Sequence, residues 1–121
     1  MLISAMDHLG ERLIHGARDP SIKELRMTFD GRMKSATARK IMEELATLSR
    51  DQLDRVSSVV PALVDIVLHN VLRTIDENEG LEIAIKIPGN GDETRASEVS
   101  DGLPGELYGD QGWIAKFSAF R

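Results

Sequence analysis

The side chains of this 121-residue chain whose spacing could do chemistry are carboxylates and three histidines, and cysteine is absent. That removes thiol nucleophiles, disulfides, thiolate zinc and iron–sulfur ligation together, and it suits a reducing, cytoplasmic setting. His8, Glu11 and His15 follow one another at spacings of three and four, so His8 with Glu11, or Glu11 with His15, could share an ion on one helix face. Two ligands are too few, and two helical turns, roughly 10 Å, separate the histidines. The expectation is a solvated polar face, with no metal and no cofactor. Asp65, His69 and Arg73 recur every four residues. An Asp–His pair can hold one imidazole tautomer for proton transfer, but no nucleophile is placed beside it by sequence. The reading is a surface ion-pair ladder, with His69 the best single catalytic guess.

Charge divides the chain. Residues 1 to 60 hold 10 Lys/Arg and 9 Asp/Glu, whereas residues 61 to 121 hold 5 and 11, so the net charge of −5 divides into +1 and −6. An acidic half argues against wrapping nucleic acid with the whole surface, since phosphate contacts need concentrated positive charge. A local basic patch remains: Arg32, Lys34, Arg39 and Lys40 lie in a stretch without acids, between two helix-like segments. Residues 21–45 therefore resemble a helix-turn-helix, with Ser35 to Leu45 as the reading helix. Met27 stands where tight packing wants a small residue, and Thr37 and Lys40 fall where apolar residues are expected. The late acids, Asp92, Glu93, Glu98, Asp101, Glu106 and Asp110, lack the alternation of an EF-hand calcium loop and read as a solubilising or partner-facing loop. Tyr108, Trp113, Phe117 and Phe120 crowd the C-terminal segment. They either close the core or anchor a partner.

The elements that must position these residues follow from periodicity. Leu2, Met6, Leu9 and Leu13 mark an amphipathic helix to about Ala17. Asp19-Pro20 restarts the chain, and Ser21 with Glu24 has the capping-box pattern of a short helix through Leu25; a strand over Leu25 to Phe29, closed by Asp30-Gly31, competes with it. A helix follows from near Ser35 to around Ser49. Ser49 and Gln52 repeat the capping-box pattern ahead of the longest helix, Leu53 to Ile75, which Pro61 should kink. Its apolar arc is so wide that neighbours are expected to cover it, leaving Asp65, His69 and Arg73 facing out. Gly80 is expected to close it in the left-handed conformation. Leu81 to Ile87 alternates as one strand, whose partner is Arg95 to Val99, Leu25 to Phe29 or the same strand of a second subunit, so a homodimer through 81–87 is one expectation. Pro88-Gly89-Asn90-Gly91-Asp92 opens a polar loop to about Asp110, and Asp110 is expected to cap a last short helix. The start of the chain lacks the basic, then apolar, run of a signal peptide, and the strongest apolar stretch, Val59 to Leu68, is about half a membrane span.

The run Asp101-Gly102-Leu103, Gly105-Glu106-Leu107-Tyr108 and Gly112-Trp113-Ile114 resembles the ending of small uncharacterised bacterial proteins that carry DGL, GELY and GWI elements. The resemblance covers about the last sixth of the chain and implies no established activity. Together the observations predict a single domain over 1–121, mainly α, built around one long kinked helix with a short strand or hairpin. The expected function is non-enzymatic. It is a protein-interaction factor of the immunity or antitoxin type, binding another protein through Asp92, Glu93, Glu98, Asp101, Glu106, Tyr108 and Trp113, with the DNA-binding regulator as the alternative.

Overall fold

Ser4 opens the first helix: its Oγ accepts the Asp7 amide at 3.0 Å, and α1 runs Ala5–Leu13. In this computed structural model, which describes residues 3–89 and 91–121, the helix does not stop near Ala17. It passes through a π turn, Ile14–Arg18, directly into α2, Asp19–Phe29. The Asp19 amide reaches back five residues to the Ile14 carbonyl, so the helix widens just before Pro20, which has no amide to donate. The expected restart with a Ser21/Glu24 capping box is therefore not formed. Ser21 Oγ donates to the Ala17 carbonyl at 2.7 Å instead, as a hydroxyl inside a continuing helix does. The competing strand over Leu25 to Phe29 is likewise helix.

Ser35 caps α3, Ala36–Glu44, by accepting the Ala38 amide. Ser49 and Gln52 close the expected reciprocal box at the start of α4, Arg50–Glu77, which runs unbroken through Pro61. Gly80 keeps an ordinary backbone; the helix ends on extended Asn78, and the left-handed glycines are Gly31, Gly89 and Gly109. The alternating segment after α4 pairs within the chain. β1, Ala84–Lys86, is antiparallel to β2, Glu93–Arg95, with Ile85 opposite Thr94. The polar segment beyond it holds more structure than a loop: α5 (Ala96–Val99), a 3₁₀ turn (Pro104–Leu107) and α6 (Trp113–Phe117). Asp110 does not cap α6. That position belongs to Gly112, where a Cβ would stand 2.2 Å from the Tyr108 carbonyl oxygen. Leu2 of the predicted first stripe and Asn90 of the predicted turn lie outside the described residues.

Two apolar clusters share α4. One gathers Ile14, Leu72, Ile85, Leu103, Leu107 and Trp113; the other gathers Ile22, Phe29 and Val60 with half-buried Ile41, Leu45 and Phe120. α1 packs into the first cluster and α2 into the second, with α2 lying along one side of α4. The expectation that neighbours cover α4 all round is corrected. Val59, Leu63, Ile66, Val67 and Val71 stand open to solvent, each about half exposed or more. By length and composition α4 could cross a membrane, with mean hydropathy 1.4 over its most apolar 18 residues, of which 11% are buried. Its mid-helix carboxylate, Asp65, is nonetheless committed to an ion pair inside the fold, as in a helix that serves a core.

Candidate functional site

Ile14, Arg18 and Ile22, each four residues from the next, form one buried stripe along the helix. Arg18 is 1% exposed and sits where the two clusters meet. A buried guanidinium must satisfy its fork of donors or carry a large desolvation cost. Nε donates to Asp65 Oδ1 at 2.6 Å and Nη2 to Asp65 Oδ2 at 3.2 Å, a bidentate pair across to α4. Nη1 donates to Ser118 Oγ at 2.7 Å, to Asp19 Oδ1 at 3.3 Å and to the Phe120 carbonyl.

The same cluster fastens the C-terminal tail. Ser118 Oγ donates to Asp19 Oδ1 at 2.7 Å, and the Ala119 amide to Asp19 Oδ2 at 2.9 Å. His15 Nε2 donates to the Phe117 carbonyl at 3.0 Å and meets the Phe117 ring edge-on. Arg26 lies over the Phe120 ring, and Lys116 pairs with Asp7 at 3.0 Å. Beside the cluster, an open groove of about 440 Å³ is lined by Arg18, Pro61, Asp65, Tyr108 and Arg121 among others.

No family model matches this chain, and neither does any curated protein or solved structure.

The expected Asp65–His69–Arg73 ladder is not formed. Asp65 turns inward and spends both oxygens on Arg18, so it does not orient His69. His69 Nδ1 lies 3.1 Å from the Tyr108 hydroxyl, outside the groove lining. Proton chemistry at His69 thus lacks the orienting carboxylate that Asp65 would have supplied. The predicted helix-face trio also parts: His15 is committed to Phe117. Among the described residues no three His, Asp or Glu side chains gather as metal ligands.

Of the partner-facing set, Glu93, Glu98 and Asp101 are exposed, in β2, in α5 and just beyond it. Asp92 is exposed beside them. Glu106 is half-buried and accepts from Ser100 Oγ at 3.0 Å. Trp113 is corrected from a partner anchor to a core residue, 1% exposed. The basic set is exposed around the start of α3, but Arg32 pairs with Asp30, which also holds Arg50.

Arg18 was not among the residues singled out by type and spacing. The available signal was its helical spacing, four residues from Ile14 and four from Ile22, which puts an arginine on an apolar stripe.

Tyr108 gives a direct handle on this region. Partial burial, then the negative charge of Asp65, raises its phenol above the ordinary tyrosine value. The folded protein therefore holds that proton more tightly than the unfolded chain does. Stability should fall as pH rises from the ordinary tyrosine range through the raised value. Since Tyr108 is the single tyrosine, its phenolate absorbance reports the titration directly. The midpoint is expected above that of free tyrosine and should fall in Asp65→Asn; an unshifted midpoint in the native chain contradicts the assignment.

Proposed function

We propose that this protein is a non-enzymatic interaction factor, of the immunity or antitoxin type, that binds a basic protein through the acidic segment from β2 to Asp101. The observation that carries the reading is the state of Glu93, Glu98 and Asp101. They lie within nine residues, stand exposed, and make no ion pair among the described residues. The ion pairs of the fold are concentrated around α1, α2 and α4, so this part of the acidic half keeps its charge for something outside. Exposed charge of one sign steers association with a partner of the other and does so less as salt rises. A cytoplasmic location and a partner protein rather than nucleic acid belong to the same proposal.

The alternative, a DNA-binding regulator using residues 21–45, draws support from exposed Arg39 and Lys40 on α3. Against it, the six residues 30–35 between α2 and α3 exceed the ~3–4-residue turn of that motif, and Asp30 offsets Arg32.

One experiment separates the two. The native chain and a Glu93→Gln, Glu98→Gln, Asp101→Asn variant are used as baits in cell lysate over a salt series, with random duplex DNA titrated in parallel. The expected result is a stoichiometric basic protein held by the native chain and weakened about tenfold or more in the variant. Equal capture by both baits overturns the acidic-segment reading. Salt-sensitive DNA binding that is lost in Arg39→Ala, Lys40→Ala moves the conclusion to the regulator.

A further inference from the structure

The open face of α4 shares no residue with the acidic segment and asks for a different occupant. Val59, Leu63, Ile66, Val67 and Val71 are each between 49% and 64% exposed. At 100° per residue they fall within roughly 140° of the helix circumference, one continuous face over more than three turns. Beside the face runs an apolar groove of about 390 Å³, lined by Leu13, Ala17, Val64, Val67, Leu68 and Val71. Ridge and groove lie side by side on one surface, which is what a two-fold interface requires: each copy offers the ridge that the other copy's groove receives.

We infer that this face is covered by the same face of a second copy of the chain, the two α4 helices packing antiparallel about Ile66.

Breadth and charge both carry the inference. Five half-open branched side chains in one arc make a contiguous apolar patch of the kind that marks an interaction surface, and the exposed residues Gln52, Arg55 and Thr74 extend it. The stripe carries no charge of its own from Val59 to Val71, since Asp65 is turned inward to Arg18. The charges flank it: Arg55 toward one end, and Glu77 with Arg73 one turn before it toward the other, all exposed. Arg55 and Glu77 stand equally far from Ile66 along the helix. Antiparallel packing sets Arg55 of each copy near Glu77 of the other, twice. Parallel packing would set arginine on arginine and glutamate on glutamate. The polar residue within the stripe, Asn70, is half-buried and turns part of its amide to its own helix, with Nδ2 donating to the Ile66 carbonyl at 2.9 Å.

The test is sedimentation equilibrium of the full chain over a concentration series, with circular dichroism to confirm the fold. The native chain is expected at twice its monomer mass of 13.4 kDa, and Ile66→Lys, a change at an exposed position, should give a folded monomer. Arg55→Glu and Glu77→Arg should each weaken the dimer about three- to tenfold, and the double exchange should restore it. Restoration is the readout that a structural role for either residue does not produce. A monomer at every concentration overturns the inference, as does a dimer indifferent to Ile66→Lys. Failure of the double exchange to restore association overturns the antiparallel arrangement, and a monomeric chain that binds phosphatidylcholine vesicles through Ile66 assigns the face to a lipid surface instead. Loss of self-association leaves capture of a basic partner by Glu93, Glu98 and Asp101 unaffected, so the two proposals fail separately.

Discussion

Arg18→Met is expected to destabilise the fold by about 3–5 kcal/mol, the cost of breaking a buried pair by removing one partner. Methionine fills most of the volume between Ile14 and Ile22, so the loss comes from the partners left behind rather than from a cavity. Asp65 would keep a carboxylate facing an apolar junction without its bidentate donor. The Phe120 carbonyl would lose a hydrogen bond, and Asp19 would lose the cation beside it while still holding the Ser118 hydroxyl. Urea denaturation measures the effect as a lowered midpoint at an unchanged slope. The double-mutant cycle makes the argument specific: Arg18→Met with Asp65→Leu removes both charges and should recover much of the loss. A second signature is local, with the Ala119 amide, which donates to Asp19, exchanging faster in Arg18→Met than global unfolding accounts for. If the single substitution proves neutral, the cluster does not hold the two halves of the core together.

This pair also shows where sequence reading stops. Helical spacing located α1, α3 and α4, and alternation located β1, because apolar residues on one face are dictated by burial of that face. Two identical-looking capping boxes had opposite outcomes. Ser49 and Gln52 start a helix because a turn precedes them, whereas Ser21 and Glu24 lie inside one, because the π turn lets α1 run on past Pro20. Arg18 keeps helical spacing with Ile14 and Ile22 and so lies on the buried stripe, a place that its charge, not its spacing, argues against. By pattern Asp65 belongs to solvent, as the polar residue of an apolar helix. Its inward direction depends on Arg18, which is 47 positions away in sequence, and neither charge can be placed without the other. The breadth of the apolar arc on α4 was legible, but its reason was not. A helix apolar nearly all round fits burial within a chain and burial against another molecule equally well, and only the count of available neighbours decides. Tyr108 and Trp113, five residues apart, were paired as partner anchors, yet Trp113 faces the core while Tyr108 stays half open beside His69.

The close approach that turns Trp113 inward is set by Gly10, and it yields the second large effect. A Cβ at Gly10 would stand 2.3 Å from the indole ring, so Gly10→Ala drives a methyl group into a buried side chain that has no room to swing. Alanine favours a helix interior over glycine by about 1 kcal/mol, yet overpacking of this kind costs about 1–3 kcal/mol or more, and the net change at Gly10 is expected to be destabilising. Trp113→Ala is expected to cost about 3–5 kcal/mol through the cavity it leaves among Ile14, Leu72 and Leu107. Trp113→Phe separates shape from polarity. The indole Nε1 is buried without a hydrogen-bond partner, so phenylalanine gives up volume but no hydrogen bond and removes an unsatisfied donor. Its cost should stay below about 1.5 kcal/mol. In the Trp113→Phe background the smaller ring leaves space for the methyl group, and Gly10→Ala should then turn neutral or stabilising as the helix preference of alanine takes over. Equal destabilisation by Gly10→Ala in both backgrounds would mean that the glycine is required for something other than the tryptophan it faces.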